Sequence, residues 1–184
     1  MGKPSRIGAR CFVENGKITR TQVCGSAYIV PTPPEMRLKE LGITLPAPNK
    51  PIANYVPGAR SGRLVFTSGQ TPKEGNVLKY KGKLGQDVSV EEGQAAARLC
   101  ALSCLAIIRD LAGSLDNVSR IVKLTGYVNS APDFTSQHLV VNGASDLIGE
   151  VFGEAGRHAR AAVGLAALPG DAACEIEMIA ELKE

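Results

Sequence analysis

The chain has 184 residues, enough for one compact domain and thin for two. It is 44% hydrophobic and 21% charged, which excludes a wholly disordered chain and a coiled coil. A net charge of +3, 4% aromatic residues and no Trp give neither a charge nor a stacking argument for nucleic acid.

The charge is uneven. Residues 1–40 hold seven Lys or Arg against three acids, leaving 14 basic against 15 acidic residues in the remainder. The basic excess reads as a solvated tail, with a docking arm for an acidic partner as the sharper alternative. The start, MGKPSRIGAR, has no apolar stretch for a signal peptide, and Arg6 stands where a myristoylation signal wants Ser or Thr.

Residues 9–24 have the pattern of a β-hairpin around Asn15-Gly16, both of which tolerate positive φ. Pro31, Pro33 and Pro34 then impose an extended connection. Met36–Leu41 reads as a short helix stopped at Gly42, and LPAPNKP at 45–51 as a second linker. The expected division is therefore an appendage at 1–51 and a domain at 52–184, with Met36 as an alternative start.

In the domain, Asn54–Arg60 and Leu64–Ser68 read as strands and 70–87 as a polar loop. A helix is expected over Val90–Ala112, capped by Ser89, with Glu91 and Glu92 in its first turn and Gly113 as the stop. Its apolar run, Leu99–Ile108, is about half of the roughly 20 residues that cross a bilayer, so it reads as buried rather than membrane-spanning. Val118–Val128 reads as a strand, followed by a helix capped by Asp133 and ending near Phe152-Gly153. Ala159–Ala167 and Ala173–Leu182 read as a closing hairpin across Leu168-Pro169-Gly170-Asp171. The sum is an α+β layer, two helices on one face of a mixed sheet.

Five Cys, at 11, 24, 100, 104 and 174, form neither a disulfide framework nor a metal-type pattern. Cys100 and Cys104 share a helix face as small buried hydrophobes. Reduced thiols point to the cytoplasm.

In the last strand Glu175 and Glu177 share one side, opposite Cys174, Ile176 and Met178. In the preceding strand Arg160, Ala162, Gly164 and Ala166 share a small side that lets another backbone approach. An Arg and acids on neighbouring strands at a subunit contact form a candidate site, with ordinary surface ion pairs as the plainer reading.

Several stretches in order then resemble the Rid family, also known as YjgF, the reactive-intermediate deaminases. They are Tyr55-Val56 with Gly58; Phe66-Thr67-Ser68-Gly69-Gln70-Thr71-Pro72; Ile121-Val122-Lys123 leading to Tyr127-Val128; and Ala159-Arg160-Ala161-Ala162-Val163 through Leu168-Pro169 to Glu175-Ile176-Glu177. Leu38–Pro46 resembles the start of a longer-chain branch of that family. The resemblance implies a chorismate-mutase-like fold and a homotrimer, with a central barrel and ligand clefts between subunits. It implies hydrolysis of 2-imino acids to 2-keto acids and ammonia without metal or cofactor. On it, Arg160 binds the substrate carboxylate and Glu175 positions and activates water, while Tyr55, Ser68, Gly69, Asn142 and Ala162 line the cleft. Two positions depart from the pattern. Ala162 stands where Cys is frequent, which removes a thiol but not the carboxylate clamp. His158 stands where Pro is usual, as a backbone-bonded loop histidine or a proton donor beside Arg160. Asn142 fits when counted back from Arg160 but falls one helical turn late counted forward from Asp133-Phe134. The rival functions are a non-catalytic binder of small carboxylates using the same Arg, and an RNA-acting translation inhibitor. The near-neutral body speaks against the latter.

Overall fold

The computed structural model describes residues 8–24, 32–47 and 54–184. The chain divides into two compact units, Met1–Pro31 and Thr32–Glu184. In the first, β1 (Gly8–Glu14) and β2 (Lys17–Cys24) pair antiparallel across Asn15 and Gly16, at φ of 50° and 75°. Two positive φ values define a tight turn whose twist suits the strands it joins.

The second unit begins with α1 (Pro34–Glu40), which has Pro at its first position and is followed by Gly42 at φ 67°. This helix belongs to the body, so the division falls at Pro31/Thr32 and not near 51. Leu38 is buried in the main core. Glu35 is tied in twice: its backbone N–H donates to Asp116 Oδ1, and its side chain accepts from Leu115 N–H, each at 3.0 Å. The second Pro-rich run lies partly outside the described residues, as does the expected domain start at 52.

A five-stranded sheet follows, in the order β3-β4-β9-β7-β8. Its strands are β3 (Gly58–Ser61), β4 (Leu64–Thr67), β7 (Val118–Asn129), β8 (Ala159–Leu165) and β9 (Cys174–Leu182). Residues 54–57 do not join β3, where Pro57 removes a ladder donor. Inside the expected polar loop, β5 (Lys73–Glu74) and β6 (Val77–Leu78) make a small hairpin.

α2 (Val90–Ala112) runs over the expected span. Ser89 and Glu92 form a reciprocal capping box, and Gly113 closes the helix at φ 77°. α3 (Gln137–Phe152) starts after Ser136, not at Asp133. The residues before it form a separate turn at Pro132-Asp133, in which Phe134 N–H donates to Ala131 O at 3.1 Å. The two helices cover one face of the sheet and share with it a core that includes Leu105, Ile108, Leu124, Leu147, Ile148 and Ile176. The architecture is the expected α+β layer.

The closing hairpin is not one. β8 pairs with β7 in parallel and β9 pairs with β7 antiparallel, so β7 lies between them. A parallel pair needs a crossover, and α3 supplies it. The Pro169–Asp171 turn instead wraps the end of β7. There Asn129 Nδ2 donates to Asp171 Oδ1 at 2.9 Å and Asn129 N–H to Ala173 O at 3.0 Å.

Two glycines on α3 give opposite expectations. A Cβ on Gly143 would lie 2.0 Å from Gln94 O in the α2 backbone, which has nowhere to move. Gly143→Ala should lower stability by about 1–3 kcal/mol, the usual cost of overpacking. A Cβ on exposed Gly149 would meet nothing within 4 Å. Gly149→Ala should raise stability by roughly 0.5–1 kcal/mol through helix propensity. Urea denaturation of both variants checks the pair.

Candidate functional site

The candidate residues fall into two groups. The first is built on β9 and the loop after β4. Gln70 is buried and forms a two-way backbone bridge with Ile176, N–H to O in each direction at 2.8 and 3.0 Å. Its side-chain amide donates to the carbonyls of Ser68 and Gly69. The bridge lays Gly69 directly over Glu175: a Cβ at 69 would sit 1.7 Å from Glu175 Oε1. Glycine is therefore required for the carboxylate to lie where it does. Ser68 Oγ donates to Val56 O at 2.7 Å and fixes the neighbouring segment, where Tyr55 is exposed. Tyr55, Gly69 and Glu175 line one groove of about 720 Å³, together with Lys73, Lys81 and Pro169.

Glu175 is half-buried. Burial raises its pKa above the ordinary glutamate value, and the like charge of Glu177 adds to the rise. Glu177 is held by the Tyr127 hydroxyl, which donates to its Oε1 at 3.1 Å. Burial, then Glu177, raises the Tyr127 pKa in turn.

The second group is built on α3 and β8. Arg160 Nη1 donates to Asn142 Oδ1 at 2.8 Å and to Ser145 Oγ at 3.1 Å, and Nη2 reaches His138 O at 3.4 Å. Helical spacing puts 138, 142 and 145 on one flank of α3, so the guanidinium lies along that flank. Among the described residues its Nε makes no hydrogen bond, and no carboxylate pairs with it. The Arg160 side chain, though exposed, lines a shallow cavity of about 340 Å³ with Ser145, Gly149, Gly156 and His158. Asn142, ambiguous by counting, is brought directly to Arg160. Ser145 is the contact that sequence reasoning missed. It sits one helical turn after Asn142, and nothing in an isolated Ser marks it.

Within one chain the structure does not bring Arg160 and Glu175 together. β7 separates their strands, and their side chains leave opposite faces of the sheet. Arg160 is in register with Leu124, which is buried under the helices, whereas Glu175 is in register with Tyr127 on the other face. The small side of β8 is likewise not the open face. Ala162 packs against the core, and a Cβ on Gly164 would meet Gln137 Nε2 of α3 at 2.7 Å. Ala162 lines neither cavity.

Cys100 and Cys104 are buried as expected, and Cys174 is buried with them. Cys100 and Cys174 Sγ atoms lie 3.8 Å apart, and desolvation lifts Cys104 to about 12, far from a nucleophile's range. Among the described residues no helix is long and apolar enough to cross a membrane.

The chain is similar to known proteins over most of its length. A family model described as "YjgF/chorismate mutase-like, putative endoribonuclease" matches residues 35–182, and the chain belongs to that family. Protein TCP17 of Trypanosoma cruzi is 51% identical over 146 residues, covering 79% of this chain and 91% of that protein. The crystal structure of Atu1372 from Agrobacterium tumefaciens, a protein of unknown function, is 51% identical. It covers 82% of this chain and 92% of its own, with a TM-score of 0.75. Escherichia coli TdcF with bound serine is 30% identical, covering 76% of this chain and 96% of its own, with a TM-score of 0.55.

The raised pKa of Glu175 has a stability consequence of fixed sign. The folded state holds the proton more tightly than the unfolded state, so this contribution is full below the ordinary glutamate pKa. It is lost as pH rises through the raised value. Glu175→Gln should therefore have a higher Tm than the parent at pH 7–8, and the gap should close near pH 4. Thermal unfolding of both proteins across that range checks it.

Proposed function

We propose that the protein hydrolyses 2-imino acids to 2-keto acids and ammonia, in clefts that form where one copy's Arg160 side meets another copy's Glu175 side. The observation that carries this reading is the division of labour between the two half-sites. One presents a guanidinium with an open edge, anchored on Asn142 and Ser145. The other presents a half-buried carboxylate beneath Gly69 at the wall of a groove. Neither half is a complete site.

The chemistry each half supplies is complementary. A planar guanidinium stays charged and grips a carboxylate through paired N–H donors. Its attraction holds the acid end of the substrate while leaving the imine carbon free. That carbon is already electrophilic once the nitrogen is protonated. Water adds to it as Glu175 accepts a proton, giving a carbinolamine. Glu175 returns that proton to the nitrogen, the C–N bond breaks and ammonia leaves, and the freed carboxylate takes the hydroxyl proton as the C=O of the keto acid forms and passes it on to the departing ammonia. A carboxylate whose pKa is raised by burial is a stronger base than an exposed one and so a better acceptor of the water proton. Holding the two reactants together accounts for much of the rate. The serine bound in the TdcF structure, itself a small amino acid with a carboxylate, supports a ligand of this class.

A ring of three heterologous contacts would give three such clefts and cover the open face of the sheet. That face exposes Phe66, Val163 and Leu165, each more than a third accessible.

The test is a coupled assay in which an amino-acid oxidase releases imine and semicarbazide traps it. The protein should lower semicarbazone yield. Arg160→Ala should lose about ten- to a hundredfold in kcat/KM, as expected for a charge-assisted pair. Glu175→Gln should lose about a hundredfold in kcat while still binding a keto acid. Equal yields from the parent and both variants would end the hydrolase reading. Keto-acid binding abolished by Arg160→Ala, with no turnover in the parent, would make the protein a carboxylate binder instead.

Composite clefts make a separate prediction. Arg160→Ala and Glu175→Gln chains, each strongly impaired alone, should regain activity when refolded together. Random mixing in a ring of three restores about a quarter of the parent's sites. No recovery would mean that each site is contained within one chain.

A further inference from the structure

Arg160 stands at the end of a chain of polar groups. His158 Nδ1 lies 2.6 Å from the Gly156 carbonyl oxygen, and His158 Nε2 lies 3.1 Å from Ser145 Oγ. Ser145 Oγ in turn is 3.1 Å from Arg160 Nη1. The carbonyl oxygen only accepts. In the neutral imidazole, therefore, Nδ1 carries the proton and Nε2 presents its lone pair. The Ser145 hydroxyl donates to that lone pair, and its oxygen is left to accept from Arg160. The guanidinium has no acceptor, so the order of donors cannot run the other way.

The backbone prepares this arrangement. Gly156 is buried so closely on α3 that a Cβ there would lie 2.6 Å from Ile148 O. The turn before β8 therefore runs against the helix, and His158 reaches Ser145 two residues before Arg160 leaves the sheet.

We infer that His158 is a positioning residue: acting through Ser145, it commits Arg160 Nη1 to α3 and keeps the Nε edge of the guanidinium aimed outward for an incoming carboxylate. The inference deepens the hydrolase reading and rests on it for its effect on turnover. Its structural half, the orientation of Arg160, stands without it. A histidine that merely closes the loop needs only Nδ1. A positioning histidine needs Nε2 as well, and substitutions separate the two. His158→Asn can still donate to Gly156 O but carries no atom where Nε2 was. His158→Gln can place an oxygen near Ser145.

Two readouts on the full chain form the test. The first uses no substrate: side-chain nitrogen NMR of His158 and of the Arg160 guanidinium. The parent should show the Nδ1–H tautomer and slowed guanidinium rotation. His158→Asn and Ser145→Ala should each release that rotation, and His158→Gln should restore it. The second is imine hydrolysis. His158→Asn and Ser145→Ala should each raise KM about fivefold, the scale of one lost hydrogen bond, with kcat within about twofold. The double variant should be no worse than either single one, because both cut the same chain. An Nε2–H tautomer in the parent, unchanged guanidinium rotation in His158→Asn, or additive effects on KM would each overturn the inference. If the NMR signals behave as expected while the parent turns over no imine, the hydrolase reading falls and the positioning of Arg160 stands.

Discussion

Strand β7 is the constraint from which the layout of the candidate site follows. It pairs with β9 along one edge and β8 along the other, in opposite senses. The parallel partner demands a crossover, and that crossover, α3, must lie on a face of the sheet. Once α3 covers the face that Leu124 and Met178 share, every second residue of β8 points at its flank. Arg160 is one of these, and Asn142 and Ser145 wait for it there. Glu175 is one residue out of phase with Met178 and Ile176, and so emerges on the far side. The separation of the two groups is a property of sheet order and pleat, and no side-chain rotation undoes it.

The placement of Glu175 opposes stability. Its carboxylate is half-buried next to Glu177, beneath a loop that is pinned to β9 and carries no side chain at 69. A chain selected only for stability would fill that space or neutralise the charge. An arrangement that holds a carboxylate in a poor solvent, with no ion-pair partner among the described residues, suits a proton acceptor at near-neutral pH. The buried thiols Cys100, Cys104 and Cys174 gather on the opposite, fully dry side of the same strand. There burial takes Cys100 and Cys104 of α2 out of the reactive range.

Local signals in the sequence were enough for most elements. Ser89, Glu92 and Gly113 delimit α2 because capping is a short-range interaction between residues three or four apart. Asn15-Gly16 marks its turn for the same reason. The order of strands was not legible. Leu168 to Asp171 has the composition of a hairpin turn, but the insertion of β7 between β8 and β9 depends on partners 30 and more residues away. The face carrying Arg160 was misjudged with it: alternation tells which residues share a side, and only the packing of α3 tells what that side meets. Asn142 shows the same limit from the other direction. Its position drifts by a turn when counted from Asp133, because α3 begins at Gln137 after a non-helical turn. Counted from Arg160, the residue it touches, it falls in place.

What remains exposed on the sheet is informative about what the fold still has to meet. A mixed sheet buried on one side only leaves the other to water or to a partner. Here that side carries Glu175, Glu177 and the Tyr127 ring as well as Phe66, Val163 and Leu165. Apolar side chains scattered singly need no explanation, but apolar groups sharing a face with half-buried carboxylates suit an interface better than open solvent. In the proposed ring, the same contact that covers those side chains would desolvate Glu175 further and bring a guanidinium toward it. Assembly and chemistry would then be one event. The carboxylate would gain its dry surroundings and its substrate-holding neighbour together, with the substrate's own carboxylate taking up the guanidinium's charge.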